Sequence, residues 1–413
     1  MIALDDLTSA PNLLAPHYSR FRVAERVLLT GHSHQAWPDV AREAQIEAFD
    51  DAADQVDGKW ERAEAKADEV RAGYRRLLGD PAGDVALGAS THDLAVRFLS
   101  GLDLAGRPQL VTSDGEFHSL RRQLARLAEA GLRVVWVPSE PADTLADRMA
   151  DAVDDRTSAA LVSAVLFETS RIVPHLDALA ETCRRRGVEL LVDAYHALGV
   201  VPLPVHETGL SSAWIVGGGY KYLQLGEGNC FLRLPEQAER MRPVVTGWFA
   251  EFDALASEPR PDRVAYGPGA ARFAGATYDP TSHYRAARVF RFFADHGLSP
   301  AFLREAYLHQ LEVLARSFDA LGAPDDVITR DRTTPRTAFG GFLALRSPQA
   351  QRLQQALRGR GISTDSRGDS LRLGPAPYLS DAQLEAAIVA LGDVLTASER
   401  SGSGPYRGTG RTP

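Results

Sequence analysis

From Val85 onward the chain alternates short apolar runs with amphipathic stretches. PQLVTSD, LRVVWVP, SAALVSAVLF, VELLVDA, AWIVGGG and CFLRL read as strands, being brief and rich in branched residues. LRRQLARLAEAGL and LDALAETCRRRG between them carry apolar residues at helical spacing. This alternation predicts an α/β fold, with a mostly parallel central sheet flanked by helices. Upstream, the segment to about Leu29 reads as an arm, and TGHSHQAWP as a polar turn with Pro38 opening a helix. Val40 to Leu78 has helical spacing and runs into the stop formed by Gly79 and Pro81. After Pro280 the pattern becomes helix from Tyr284 to His296 and from Leu303 to Phe318, then strands at Gly341 to Ala344 and Ser370 to Leu373. These elements predict a smaller C-terminal α+β domain.

The expected division is an N-terminal arm contributing to the small domain (1–60), a large domain (61–285), the small domain (286–400) and a tail (401–413). The tail, SGSGPYRGTGRTP, has too little apolar content to pack and is expected to be disordered. A chain of 413 residues is long enough for two domains. Its formal charge of -8, without a long basic run, gives no reason to expect a nucleic-acid partner. The two cysteines, Cys183 and Cys230, provide neither a disulfide framework nor a multi-thiolate metal site. His32 and His34 stand two apart on a loop without an evident third ligand, so no metal is expected. The start lacks a basic head and apolar signal core, and no stretch is suited to crossing a bilayer. The expectation is a cytoplasmic protein with no membrane partner.

The candidate chemistry lies in two segments, VDAYHALG with Asp193 and His196, and IVGGGYKYL with Tyr220 and Lys221. An Asp ending an apolar strand is placed to meet a ring nitrogen at the carboxyl edge of a parallel sheet. A Lys just past the next strand can form a Schiff base. An acid for a pyridine nitrogen and an amine for an aldehyde carbon are how proteins hold pyridoxal 5'-phosphate. Alone, the same two residues fit a helix cap and a solvent-facing lysine equally well. A phosphate site is suggested separately by LGASTHDLAVRFLSGL, where Ser90 and Thr91 precede an apolar helix whose first N–H groups are free. An ordinary Ser/Thr helix cap is the alternative there. In SDGEFHS, Phe117 follows a strand exit and either stacks on a flat ring or packs into the core.

Taken in order, TGHSHQAWP, GASTHDLAVRFL, DGEFHS, VDAYHALGVVPL, GGGYKYLQLGEGN, VTGWF, GPGAARFAGAT and RGISTDSRGDSLRLGPAPY resemble the kynureninases. These lie within the aminotransferase class V group of fold-type I pyridoxal phosphate enzymes, and the resemblance spans roughly residues 25–380. It implies a fold-type I transferase fold and a homodimer with active sites at the subunit interface. Lys221 then carries the cofactor, Asp193 partners its ring nitrogen, and His196 lies beside the ring. Ser90 and Thr91 bind phosphate, Phe117 stacks on the ring, and Trp248 and Thr277 reach phosphate across the interface. Arg372 takes the α-carboxylate of an amino-acid substrate, a task for which its planar fork is suited. His32 and His34 line the substrate entrance, Arg272 orders the loop bearing Thr277, and Tyr220, by the resemblance a contact of the cofactor phosphate and the catalytic region, is also the expected proton relay from its place beside Lys221.

The departures from that pattern cluster at the substrate end. His32 stands where kynureninases carry Asn, and Phe249, Ala250 and Glu251 follow Trp248 in place of a Gly-His pair. Leu166 occupies a common Asn position, the Lys loop ends in GEGN, and TYDPTSHYR follows GAT. The cofactor end matches while the aryl-ketone end does not, so a different amino acid is a plausible substrate. An aminotransferase or another lyase needs the same Asp193, Lys221 and Arg372. A cysteine desulfurase needs a reactive thiol beyond the Lys region, and no cysteine follows Cys230.

Overall fold

The computed structural model describes residues 2–255 and 262–402. A short helix α1 (Leu4–Thr8) and strand β1 (Val27–Leu28) precede helices α2 (Val40–Gln55) and α3 (Lys59–Leu77). The helix expected across Val40–Leu78 is therefore two helices. The break falls at Val56, whose φ of 50° is outside the helical range, and α3 restarts after Gly58. Apolar spacing runs on through this break because both helices bury one face. Gly79, at φ +57°, ends α3 as expected of a glycine stop.

The central layer is built from β2 (Asp84–Gly88), β3 (Gln109–Ser113), β4 (Arg133–Val137), β5 (Thr157–Ser163), β6 (Glu189–Asp193), β7 (Trp214–Gly217) and β8 (Cys230–Leu234). They form one seven-stranded sheet in the order β2-β8-β7-β6-β5-β3-β4. Only β8 runs against the rest, pairing antiparallel with β2 and β7. The sheet is thus mostly parallel, as the alternation predicts. Helices α4 (Thr91–Ser100), α5 (His118–Glu129), α6 (Leu145–Ala152) and α7 (Leu176–Arg186) connect the strands. All residues of β3, β5, β7 and β8 are buried, because a sheet covered by helices on both faces leaves no wet side. Strand β2 is not among the expected strands. DVALG runs straight into the Ser90 cap and reads as a lead-in to α4; pairing with distant β8 makes it a strand.

After the sheet come α8 (Thr281–Asp295) and α9 (Pro300–Ala320), then β9 (Leu343–Arg346), α10 (Ala350–Gly359), β10 (Ile362–Ser363), β11 (Asp365–Arg367), β12 (Ser370–Leu373) and α11 (Asp381–Gly402). Strands β11, β12 and β9 form an antiparallel sheet, the core of the expected smaller α+β domain. The N-terminal segment joins this region. Its β1 pairs in parallel with β10, and Gly31 N–H donates to the Gly374 carbonyl at 2.8 Å. This pairing brings the His32 turn beside the end of β12. Helix α8 returns to the N-terminal pair through Arg288 to Glu47 at 3.0 Å, Arg291 to Glu69 at 2.9 Å and the Tyr74–Phe290 ring contact. Residues 403–413 of the expected tail lie outside the described residues.

Candidate functional site

Groups carried at or past the ends of β3, β6 and β7 gather around Lys221. After β7, Gly218 and Gly219 carry the chain over the sheet edge. A Cβ at Gly218 would stand 2.6 Å from both Cys230 Sγ and Tyr195 Oη, and one at Gly219 would collide with the Leu225 side chain. Only glycine allows this close approach, and it presses Lys221 inward. The amine is buried, with Nζ 2.9 Å from His196 Nε2. It lies 4.6 Å from the centre of the Tyr195 ring, 5.0 Å from that of Phe117 and 5.6 Å from that of Tyr220. Asp193 ends β6, the neighbour of β7, and its Oδ1 accepts the Tyr195 N–H at 2.8 Å.

The electrostatics follow from this burial. Loss of water lowers the Lys221 pKa to about 7, against the opposing pull of the Asp193 charge. Burial raises the Asp193 pKa, although the Tyr195 N–H and Lys221 favour its ionised form. His196 is pushed well below the ordinary imidazole value by burial and by Lys221, so its ring is neutral and shares a hydrogen bond with the amine. Tyr220, half-buried, has its pKa raised to about 12 by desolvation and stays protonated near neutrality. The site thus holds an amine free to act as a nucleophile or base near neutral pH, beside a neutral imidazole and a protonated phenol.

A cavity beside this cluster is lined by Thr91, His92, Phe117, Gln123 and Asp193 among others. Three of the expected cofactor residues, Thr91, Phe117 and Asp193, therefore face one space. Ser90 caps α4, its Oγ accepting the Asp93 N–H at 3.1 Å, and Thr91 is the first residue of that helix. The cap takes the Asp93 N–H and the Thr91 N–H is turned to the Cys230 thiol, so a phosphate here would draw on the His92 N–H and the Ser90 and Thr91 hydroxyls. Phe117 caps α5 and stands edge-on to Phe167, with ring centres 5.4 Å apart.

The residues expected at the substrate end are held by the small domain. Arg372 on β12 is buried, and its Nη1 donates to the Phe167 carbonyl at 2.6 Å. Its Nη2 pairs with Asp365, which sits directly across the β11–β12 ladder. Arg372 Nε is buried without a hydrogen-bond partner. His32 lies over Phe342 at 4.6 Å, with Nε2 3.6 Å from Asp365 Oδ2, too long for a hydrogen bond. Burial lowers its pKa to about 4, so it is a neutral imidazole. His34 takes a different position, stacked on Tyr220 at 4.9 Å and 3.7 Å from Glu227. Arg367 reaches the other Asp365 oxygen at 3.2 Å.

Trp248 and Thr277 are not brought to this cluster within the chain. They contact each other, Trp248 Nε1 donating to Thr277 Oγ1 at 3.3 Å, in an aromatic group with Phe249, Phe252 and Tyr278. Trp248 is 42% exposed, and Val244 and Phe252 nearby are exposed too. Arg272 binds the Glu239 and Met241 carbonyls and the Glu239 carboxylate, so it fixes the start of this loop.

Sequence reasoning missed Tyr195, Glu116 and Asp365. Asp365 and Glu116 each lie inside a quoted segment, STDSR and DGEFHS, and an acid in a buried-looking run was the available signal. Among the described residues no cluster of His, Cys, Asp and Glu is suited to a metal. No helix among them is long and apolar enough to cross a membrane.

No protein-family model matches the chain. It is similar to kynureninase from Pseudomonas fluorescens, 26% identical over 95% of this chain and 94% of that protein. It is also similar to an uncharacterized aminotransferase, YcbU, from Bacillus subtilis (strain 168), 25% identical over 80% of this chain and 84% of the relative. Isopenicillin N epimerase from Streptomyces clavuligerus is 27% identical over 79% of this chain and 84% of its own length. Among solved structures, the cystine C–S lyase C-DES in complex with cysteine persulfide superposes with a TM-score of 0.78 at 17% identity, covering 90% of this chain and 98% of that one. An apo cysteine desulfurase from Thermococcus onnurineus NA1 gives 0.78 at 16%, covering 94% and 98%. The chain has the fold-type I architecture. At these identities the structural likeness speaks for the fold, and the site residues must speak for the chemistry.

Proposed function

We propose that this protein is a pyridoxal 5'-phosphate enzyme with kynureninase-like activity, hydrolysing the bond between the β and γ carbons of kynurenine or a related amino acid to alanine and a carboxylic acid. The observation that carries the reading is the buried Lys221 amine, lowered to about pKa 7 and set among Asp193, His196 and Phe117 at one sheet edge. These residues fit the cofactor. Lys221 would hold its aldehyde carbon, Asp193 its ring nitrogen, Phe117 its face, and Ser90, Thr91 and the α4 N-terminus its phosphate. When bound, the cofactor supplies an electron sink for charge developing at the substrate α carbon.

The chain's own residues then have separable tasks. Lys221 takes and returns the α proton, which an amine with a pKa near neutrality does well. Tyr220, protonated and next to Lys221, relays a proton. Arg372 binds the substrate carboxylate through its remaining donors. Trp248 and Thr277 serve the site of a partner subunit in a homodimer, which accounts for an aromatic group left exposed on the single chain.

A second reading, a class V aminotransferase or another lyase acting on a different amino acid, is favoured by His32. A neutral, buried imidazole fills the position where kynureninases carry Asn. A desulfurase is disfavoured: Cys183 and Cys230 are both buried, with thiol pKa values pushed up to about 12, so neither supplies a thiolate nucleophile. Incubation of the holoenzyme with kynurenine, 3-hydroxykynurenine and a panel of amino acids, following products and cofactor absorbance, separates the readings. Alanine with anthranilate from kynurenine supports the first. Their absence, with conversion of the cofactor to its aminated form, moves the assignment to an aminotransferase.

A further inference from the structure

Glu116 is fully enclosed at the tip of β3 and has no basic partner among the described residues. Its Oε1 accepts the Ser113 hydroxyl at 2.6 Å and the Ser163 N–H at 3.1 Å, and its Oε2 accepts the Ser163 hydroxyl at 2.7 Å. Ser113 ends β3 and Ser163 ends β5, so one side chain joins two adjacent strand tips. Each tip leads to a residue of the site. Phe117 follows Glu116 directly and faces the Lys221 amine. Ser163 is the cross-strand partner of Asp193, and the Ala164 N–H donates to the Asp193 carbonyl at 2.9 Å.

A carboxylate is a costly way to hold two serines, because burying it without a cation forfeits its hydration. A neutral amide would join the same strands at lower cost. What the acid adds is acceptance at both oxygens, with three donors converging on it and none left to choose another orientation. The loop between β3 and α5 is held from its other side as well, where Asp114 Oδ1 accepts the Ser139 N–H at 2.7 Å.

We infer that Glu116 is a positioning residue of the cofactor site, joining the β3 and β5 tips so that Phe117 and Asp193 keep fixed places about Lys221. The inference rests on the cofactor reading above and concerns how the ring is gripped between those two residues. Removing the tie lets the Phe117 loop and the Ser163 tip move independently, which loosens the ring without touching Lys221 or the phosphate end.

The test compares wild type, Glu116→Gln, Glu116→Ala and Ser163→Ala by pyridoxal phosphate titration, visible circular dichroism of the bound cofactor and melting temperature. Glu116→Ala should bind the cofactor about tenfold more weakly, the effect of losing one or two buried hydrogen bonds. Its visible dichroism should fall as the ring loses a single orientation. Glu116→Gln, whose one oxygen can still accept from Ser113 and the Ser163 N–H while its NH2 turns to the Ser163 hydroxyl, should fall between Glu116→Ala and wild type in affinity and dichroism. Ser163→Ala is the fallback should Glu116→Ala not fold, and should weaken binding in the same direction by a smaller factor. A wild type that binds no pyridoxal phosphate sinks the proposed function. A wild type that binds it, beside a Glu116→Ala or Ser163→Ala protein with lowered melting temperature but unchanged affinity and dichroism, sinks the inference alone.

Discussion

The two ends of the site are built on different principles. Around Lys221 the groups come from the tips of neighbouring strands in one sheet, each delivered by a short segment of its own. Around Arg372 they come from a β ladder, an N-terminal turn and a loop of the large domain: Asp365 faces Arg372 across β11 and β12, His32 arrives through the β1–β10 pairing, and Phe167 offers a carbonyl. The first end leaves an amine largely unpaired by charge and tuned by burial. The second largely neutralises its own cation before any substrate arrives. The sheet edge thus tunes an amine by burial, while the small domain, through Asp365 and the Phe167 carbonyl, sets how much free charge Arg372 keeps.

The comparison breaks first if the amine is not the reactive group. Lys221→Ala should cut turnover by roughly 10³-fold or more and abolish the visible absorbance of bound cofactor. Unchanged activity would refute the role. Tyr220→Phe should cost about 10²-fold in kcat, within the range of proton-transfer catalysis, with little change in KM. Full turnover in that variant removes Tyr220 from the relay.

At the other end, Arg372→Lys should raise KM for a carboxylate substrate by about 10–100-fold, since an ammonium cannot replace the fork between Asp365, the Phe167 carbonyl and the ligand. If KM is unmoved and only stability falls, Arg372 is a structural partner of Asp365. Smaller in effect, Trp248→Ala should weaken cofactor retention and shift sedimentation toward the monomer. A variant that stays dimeric with full cofactor content would place the interface elsewhere.

The smallest effect reads the burial itself. With the amine at about 7 folded and 10.5 as an ordinary lysine, the unfolded chain binds more protons between those values, so this group's contribution to stability rises with pH there. The penalty is complete below about pH 7. Lys221→Met should therefore melt roughly a few degrees higher than unliganded wild type at pH 6, and the advantage should vanish above pH 10.5. A difference that does not change with pH would show that the amine is solvated and titrates as an ordinary lysine.

Much of the fold was legible in the sequence, and the reason differs by element. Strands β3 to β8 announce themselves by short apolar runs, and Asp193, Lys221 and Phe117 sit at fixed offsets from strand ends, so their convergence follows once the sheet forms. Strand β2 and the break at Val56 did not announce themselves. The first depends on pairing with a strand far along the chain, the second on a backbone turn that leaves the apolar period intact. Ser90 read equally as cap and phosphate ligand because both uses exploit the same free N–H groups. Asp365 and Glu116 escaped notice because a carboxylate's meaning lies in its neighbours. Asp365 meets Arg372 by ladder register, and Glu116 meets Ser163 across two strand tips.

The sequence by itself determined the layered α/β plan and set Asp193 and Lys221 at or just past strand ends, because periodicity and strand-end position are local properties. The tertiary structure decided that Arg372 is paired with Asp365, that His32 is neutral and that Trp248 packs with Thr277, Phe249 and Phe252. Those facts depend on which distant segments meet and how much water their meeting excludes, and neither is written in the order of residues along any one segment.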